Sequence, residues 1–310
     1  MHYYLGQLYD DFWHESKFPL NNIWWHSPEK GQNSMGFLSE EFDSCADMVA
    51  LGCSYTYGVG VEESKTWAQI IADNKNLKYH NISGSGRSAQ WAINNFFSYV
   101  HKFGNPEIVV ALFPEFTRIQ IASNPKEMTT KYIPKDVEIK SNIIRYGTFT
   151  NKRTGDKYFK APLIAEETFP TETSFDFSLQ YIKMLELYCN SNGIKLLWST
   201  WDKHQESWLE SNIDKTEFKN FISVKTWEWH VREQDNFYER YCQKKHSSIE
   251  VCNYYEKCHE EYEILYGDNF YRASDRREGK PEAHWGVHVH AHVADTFIKH
   301  LNEMDNCERQ

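Results

Sequence analysis

Residues 48 to 63 read MVALGCSYTYGVGVEE. Met48 to Leu51 are apolar, Gly52 ends the run, Ser54 follows, and Gly58 and Gly60 come soon after. A serine just past a parallel strand, on a turn leading into a helix, stands at the carboxyl edge of the sheet, where open α/β folds bind ligands. Its hydroxyl there is a candidate nucleophile for acyl transfer. Its own N–H, near a helix start, can hold an oxyanion. The structural alternative is a turn serine or helix cap. Cys53 is a rival nucleophile, because a thiolate needs less activation. It is one residue away, on the side expected to point into the core.

Residues 81 to 91 read NISGSGRSAQW. Asn81 ends a short strand, and Gly84 and Gly86 form a tight loop that can aim backbone N–H groups into the same cleft. Gly84-x-Gly86-x-x-Ala89 also matches a dinucleotide fingerprint, but it follows the second strand and has no strand-end acid about twenty residues on. The stretch from Gly58 to Thr66 lacks the glycine before Lys65 that a phosphate-binding loop of the Walker type requires.

Residues 274 to 297 read SDRREGKPEAHWGVHVHAHVADTF. His284, His288, His290 and His292 could hold zinc if His284 and His288 shared a helix. Gly286 stands between them, so His284 is expected in the loop before the last helix. With Asp275 and Glu282 upstream, that histidine suits a general base steadied by a carboxylate. The group Cys242, His246, Cys252, Cys258 and His259 has spacings that match no common zinc site, and its surroundings have helical periodicity.

The elements that must position these residues alternate. Met48–Leu51 is a strand. SKTWAQIIADN from Ser64 has helical spacing, with Ser64 as its N-cap. KYHNI is a strand, SAQWAINNFFSYVHKF from Ser88 a helix, and EIVVALF an apolar strand covered on both faces. This order predicts a three-layer α/β/α fold on a parallel sheet with right-handed crossovers. Further on, IIRYGTFTNKRTGDKYFK reads as a hairpin turning at Arg153 to Asp156. A helix ends at Gly193, IKLLWST is a fourth parallel strand, and HVHAHVADTFIKHL is a last helix. We expect residues 1–45 to be an arm packed on the core. Residues 46–310 are expected to form one domain with insertions at about 119–172 and 202–270.

The chain has 310 residues, 40% of them hydrophobic and 16% aromatic, with a formal net charge of -10. A charge of this sign predicts no nucleic-acid or anionic-membrane partner. The mean hydropathy of -0.70 and the lack of a long apolar run predict no membrane span. The start, MHYYLGQLYDDFWHES, lacks the pattern of a secretory signal, and seven cysteines at irregular spacings fit reduced thiols. A cytoplasmic protein is the expectation.

Taken together, the three stretches resemble the SGNH, or GDSL-type, hydrolase superfamily. Gly52-Cys53-Ser54-Tyr55-Thr56-Tyr57-Gly58 is similar to its nucleophile block, Asn81 to Gly86 to its second block, and AHWGVHVHAHVA to its last. NSMGFLSEEF, residues 33 to 42, resembles a lead-in of divergent members, including phage ones. The resemblance covers about residues 33–118 and 180–302. It implies Ser54 as nucleophile, His284 as base, and the N–H groups of Ser54 and Gly86 as oxyanion donors. It implies no metal and no organic cofactor, and a small-molecule or carbohydrate ester as substrate. Transfer of the acyl group to another hydroxyl is open on the same site, and so is a non-catalytic relative that only binds.

Two positions depart from the family pattern. Where the third block has an asparagine amide, the strand here ends ALFPEFTR, with Glu115 nearest the expected place. An ionised carboxylate accepts and does not donate, and loss of one such donor slows acyl transfer by roughly a hundredfold to a thousandfold. Thr117, Arg118 or a residue of an insertion is the candidate substitute, and without one the site is weak or inactive. Three residues before His284 stands Pro281 where the family has its acid. Asp275, across a longer loop, is the preferred replacement, and Glu282 the nearer one.

Overall fold

The computed structural model describes residues 33, 37–59, 61–84, 86–122, 143–146, 171–226, 228–229, 272–275 and 280–308. They fall in two compact units, Met1–Tyr57 with Asn76–Ile222, and Gly58–Lys75 with Ser223–Gln310.

The first unit is built on four parallel strands: β1 (Met48–Gly52), β2 (Tyr79–Asn81), β3 (Ile108–Phe113) and β6 (Lys195–Thr200), in the order β2-β1-β3-β6. β1 and β3 are buried along their whole lengths. Continuous apolar runs are what a parallel sheet closed on both faces requires. Alternate residues of one face, Val49, Leu51, Val109, Ala111, Leu196 and Trp198, enter a single core. Two helices bring their apolar sides to that core. α3 (Ala89–Phe103) contributes Ala92, Ile93 and Phe96, and α4 (Thr171–Ser191) contributes Ile182, Leu185 and Cys189.

Local chemistry sets the helix ends. Ser88 caps α3 by accepting from Trp91 N at 3.2 Å. Past α4, Gly193 takes the left-handed φ of 67°. Ile194 N donates to Cys189 O at 2.9 Å and Gly193 N to Asn190 O at 3.5 Å, which is a Schellman closure. Beyond β6, the segment at Phe221 runs parallel to it. Trp198 N donates to Asn220 O at 3.0 Å and Ile222 N to Trp198 O at 2.9 Å. The buried carboxylate of Glu186 on α4 fastens this edge, accepting from Trp198 Nε1 at 2.7 Å and Asn220 N at 3.1 Å. Phe37 and Phe42, upstream of β1, are buried, and Phe42 stacks on His80 at 4.2 Å.

IIRY forms β5 (Ile143–Tyr146), but its antiparallel partner is β4 (Ile119–Ala122), upstream of it. The turn expected at Arg153 to Asp156 lies outside the described residues, as do most of both expected insertions. A further helix, α5 (Lys203–Asn212), follows β6 directly and is capped by Asp202, which accepts from Gln205 N at 2.8 Å.

The second unit holds α2 (Trp67–Lys75), α6 (Val287–Glu308) and an antiparallel ribbon of β7 (Arg272–Asp275) and β8 (Lys280–Trp285). Ser64 is not the cap of α2. It lies in a 3-10 turn, Glu63–Lys65, and the Thr66 hydroxyl donates back to Glu63 O at 2.8 Å, which keeps Thr66 extended and starts the helix at Trp67. Trp67 packs on Phe297 at 4.8 Å between ring centroids, and Lys75 pairs with Asp305 at 2.8 Å. Among the described residues, no helix is long and apolar enough to cross a membrane.

Candidate active site

In an open α/β sheet the ligand crevice lies outside the carboxyl ends of two adjacent strands whose connections leave in opposite directions. Here β1 and β3 are those strands, since β2 lies to one side of β1, and β3 and β6 to the other. Ser54 stands just past β1, at the start of the single turn α1 (Ser54–Tyr57). Cys53 O accepts from Thr56 N at 3.1 Å and Tyr57 N at 2.8 Å, closing that turn. Gly52 allows it. A Cβ there would stand 2.1 Å from Thr56 Oγ1 and 2.6 Å from Leu112 O on β3.

Ser54 is 5% exposed, and its Oγ lies 4.0 Å from Cys53 Sγ. Cys53 is fully buried, and burial pushes its thiol up, against a smaller downward pull from Arg118. A buried thiol held neutral is a core residue, not a rival nucleophile.

The loop after β2 is tied to the same turn. Asn81 Nδ2 donates to Thr56 O at 3.1 Å, and Asn81 Oδ1 accepts from Ser83 N at 3.1 Å. Gly84 N donates to Gly52 O at 3.3 Å. A Cβ on Gly84 would meet Trp91 Cη2 at 2.7 Å and Arg87 Cγ at 2.9 Å. Gly86 has a left-handed φ of 67°, and nothing lies within 4 Å of where its Cβ would be.

β3 is followed by Pro114, Glu115, Phe116, Thr117 and Arg118. Glu115 Oε2 pairs with Arg118 Nε at 2.6 Å. Burial pushes the Glu115 carboxyl up, and the Arg118 charge opposes this. Gln205 on α5 holds the exit. Its Oε1 accepts from Phe116 N at 2.7 Å, and its Nε2 donates to Pro114 O at 3.2 Å and Thr200 Oγ1 at 2.6 Å. Trp201, just past β6, donates its N–H to Phe113 O at 3.3 Å and packs on Tyr55 at 4.6 Å between centroids. The Arg118 guanidinium lies 5.9 Å from the centre of the Trp201 ring.

Ser54, the Asn81–Gly86 loop, Glu115 and Arg118 therefore share one edge of one sheet. Tyr55, Trp201 and Gln205 join them unforeseen. The rule that strand ends carry the site points to Trp201, because IKLLWST runs straight into it. Gln205 gives no such signal, since its partners at the β3 exit are 89 and 91 residues away.

His284, Glu282 and Asp275 belong to the second unit. His284 is not in a loop; it lies in β8, one residue before the strand ends. The pairing with β7 that makes it a strand is invisible to local pattern. The register sets Arg272 opposite Trp285, Ser274 opposite Pro281 and Asp275 opposite Lys280. Asp275 thus sits at the turn end and His284 at the other. Positions 282 and 284 fall on one face of the strand. Two of the remaining histidines have structural bonds. His290 Nδ1 accepts from Trp67 N at 3.1 Å, and His292 Nε2 donates to Val224 O at 2.7 Å. Among the described residues no three His, Cys, Asp or Glu side chains gather as a metal site needs. The group from Cys242 to His259 lies outside the described residues.

No protein-family model and no curated protein sequence matches the chain. Solved structures do. One is a protein assigned to the G-D-S-L lipolytic family from Desulfitobacterium hafniense DCB-2, with TM-score 0.35 and 12% identity, covering 81% of this chain and 97% of that one. Another is an acetyl xylan esterase from the rumen bacterium Butyrivibrio proteoclasticus, with TM-score 0.33 and 12% identity, covering 91% of this chain and 66% of that one. Likeness at this level does not carry an activity from one chain to another. The sheet order and the turn at Ser54 stand on their own geometry.

Proposed function

We propose that this chain is a serine hydrolase of carboxylic esters, with Ser54 as nucleophile and His284 as its base. The observation that carries the reading is the placement of Ser54. A serine closes β1 on a one-turn helix at the switch point of a parallel sheet, and a glycine that tolerates no side chain precedes it. Ser54 Oγ attacks the ester carbonyl carbon as His284 takes its proton. The alcohol leaves with that proton, and an acyl-enzyme remains. Water then attacks the acyl carbon, again through His284, and releases the acid. A second hydroxyl compound in place of water makes the same site a transferase.

The N–H groups of Ser54 and Gly86 are the proposed oxyanion donors. The left-handed turn at Gly86, open on its Cβ side, is consistent with close approach of a substrate. Glu282, two residues from His284 in β8, is the proposed partner of His284, since the register sets Asp275 opposite Lys280 at the far end of the ribbon. An O-acetylated carbohydrate or small metabolite is the proposed substrate class, in keeping with the aromatic richness of the chain. The test is labelling by a fluorophosphonate probe in the wild type, Ser54→Ala and His284→Ala. Labelling confined to the wild type is expected, and a folded wild type that stays unlabelled overturns the reading.

A further inference from the structure

The end of β3 carries a charge pair, and its place in the sheet gives that pair a use. Gly52 and Leu112 are neighbours in register, so the β3 exit and the Ser54 turn leave the sheet side by side. Arg118 is anchored there. Its Nε forms an ion pair with Glu115 Oε2 at 2.6 Å, and its guanidinium lies 5.9 Å from the Trp201 ring, which packs on Tyr55 at 4.6 Å. The Arg118 side chain is 12% exposed and that of Glu115 31%, so both charges are largely shielded from water. Charges shielded from water act over longer distances than exposed ones.

We propose that Arg118 is the electrostatic stabiliser of the anion formed at Ser54, acting through space, and that Glu115 positions it and attenuates its field. This deepens the proposed hydrolase and rests on it for the identity of the anion, the tetrahedral intermediate. Cys53 registers the same field. Arg118 favours its thiolate more strongly than Glu115 opposes it, and Cys53 Sγ lies 4.0 Å from Ser54 Oγ. An Arg118 charge that acts at that sulfur also favours negative charge forming beside it. Replacement of a neutral amide donor by a carboxylate at this edge is then offset by a cation three residues on, at Arg118.

An ion pair that only holds the loop and one that shapes the field differ in sign. Loss of either partner of a structural pair harms the site alike. In the field account, Arg118→Met slows fluorophosphonate acylation of Ser54 by on the order of tenfold, Arg118→Lys retains most of the rate, and Glu115→Gln raises it. Equal slowing in Arg118→Met and Glu115→Gln, or no change in either, overturns the proposal. A second arm does not depend on hydrolase activity. In Ser54→Cys, the pH dependence of alkylation at position 54, located by peptide mass, gives the thiol pKa. Arg118→Met in that background should raise it by about one unit and Glu115→Gln should lower it. An unmoved pKa overturns the proposal even if the wild type is labelled. A wild type that is not labelled removes the hydrolase, while the thiol pKa still decides the role of Arg118.

Discussion

A Cβ on Gly52 would stand 2.1 Å from Thr56 Oγ1 and 2.6 Å from Leu112 O. The second contact is to strand backbone, which cannot move without opening the β1–β3 ladder. Gly52→Ala should therefore destabilise the protein by roughly 3 kcal/mol, measured by urea unfolding, and abolish labelling of Ser54. Gly86→Ala meets no neighbour and should lose only about 1 kcal/mol from its left-handed backbone. Equal losses at the two glycines would contradict this reading of the turn. The turn at Ser54 and its glycines is legible in the sequence, because an apolar run broken by Gly-x-Ser, with Gly58 soon after, marks a strand end and a tight turn. Arg118 was legible only as one of several substitutes. Its anchoring depends on Trp201 and Glu115 meeting it at a sheet edge, which no spacing reveals.

At the scale of elements, one side chain joins three parts of the fold. Gln205 on α5 bonds the β3 exit at Phe116 N and Pro114 O and the end of β6 at Thr200 Oγ1. Gln205→Leu leaves a buried N–H and a buried carbonyl without partners. It should cost about 2 kcal/mol in denaturant unfolding and slow acylation as the Glu115–Arg118 turn loosens. Ser211→Ala on the exposed side of the same helix should change stability by less than about 0.5 kcal/mol. If the two variants unfold alike, Gln205 is not the fastener described. The parallel strands were readable because each is an apolar run too short for a helix and bounded by polar or glycine residues. The two antiparallel pairs, β4 with β5 and β7 with β8, are not foreseen in the sequence. Ile143–Tyr146 found its partner upstream, and His284 was drawn into a strand by Arg272–Asp275. Such pairings are decided by distant segments.

For the molecule as a whole, acid should act through a buried imidazole. His80 is held down to about 4, mainly by burial and secondarily by the Lys78 charge, with Asp43 opposing. Tyr99 OH accepts from Ala46 N at 2.8 Å and donates to neutral His80 Nδ1 at 2.8 Å. The unfolded chain binds a proton at this ring near pH 6.5 and the folded chain near 4. Stability from His80 is thus complete above the unfolded value and falls as pH drops through that window, by about 3 kcal/mol. Glu115 and Glu186, both raised by burial, act with the opposite sign above the usual carboxylate range. They cancel in a comparison with His80→Asn, whose amide oxygen replaces Nδ1. The variant should show a flatter loss of melting temperature between pH 6.5 and 4, and an unchanged slope would contradict the assignment. The central claim, that Ser54 is an activated nucleophile, is tested most directly by treating the purified chain with a fluorophosphonate and mapping the adduct by peptide mass. We predict one phosphonyl group on the peptide carrying Ser54, absent in Ser54→Ala and His284→Ala. A folded wild type with no adduct, or an adduct on another residue, would contradict the account.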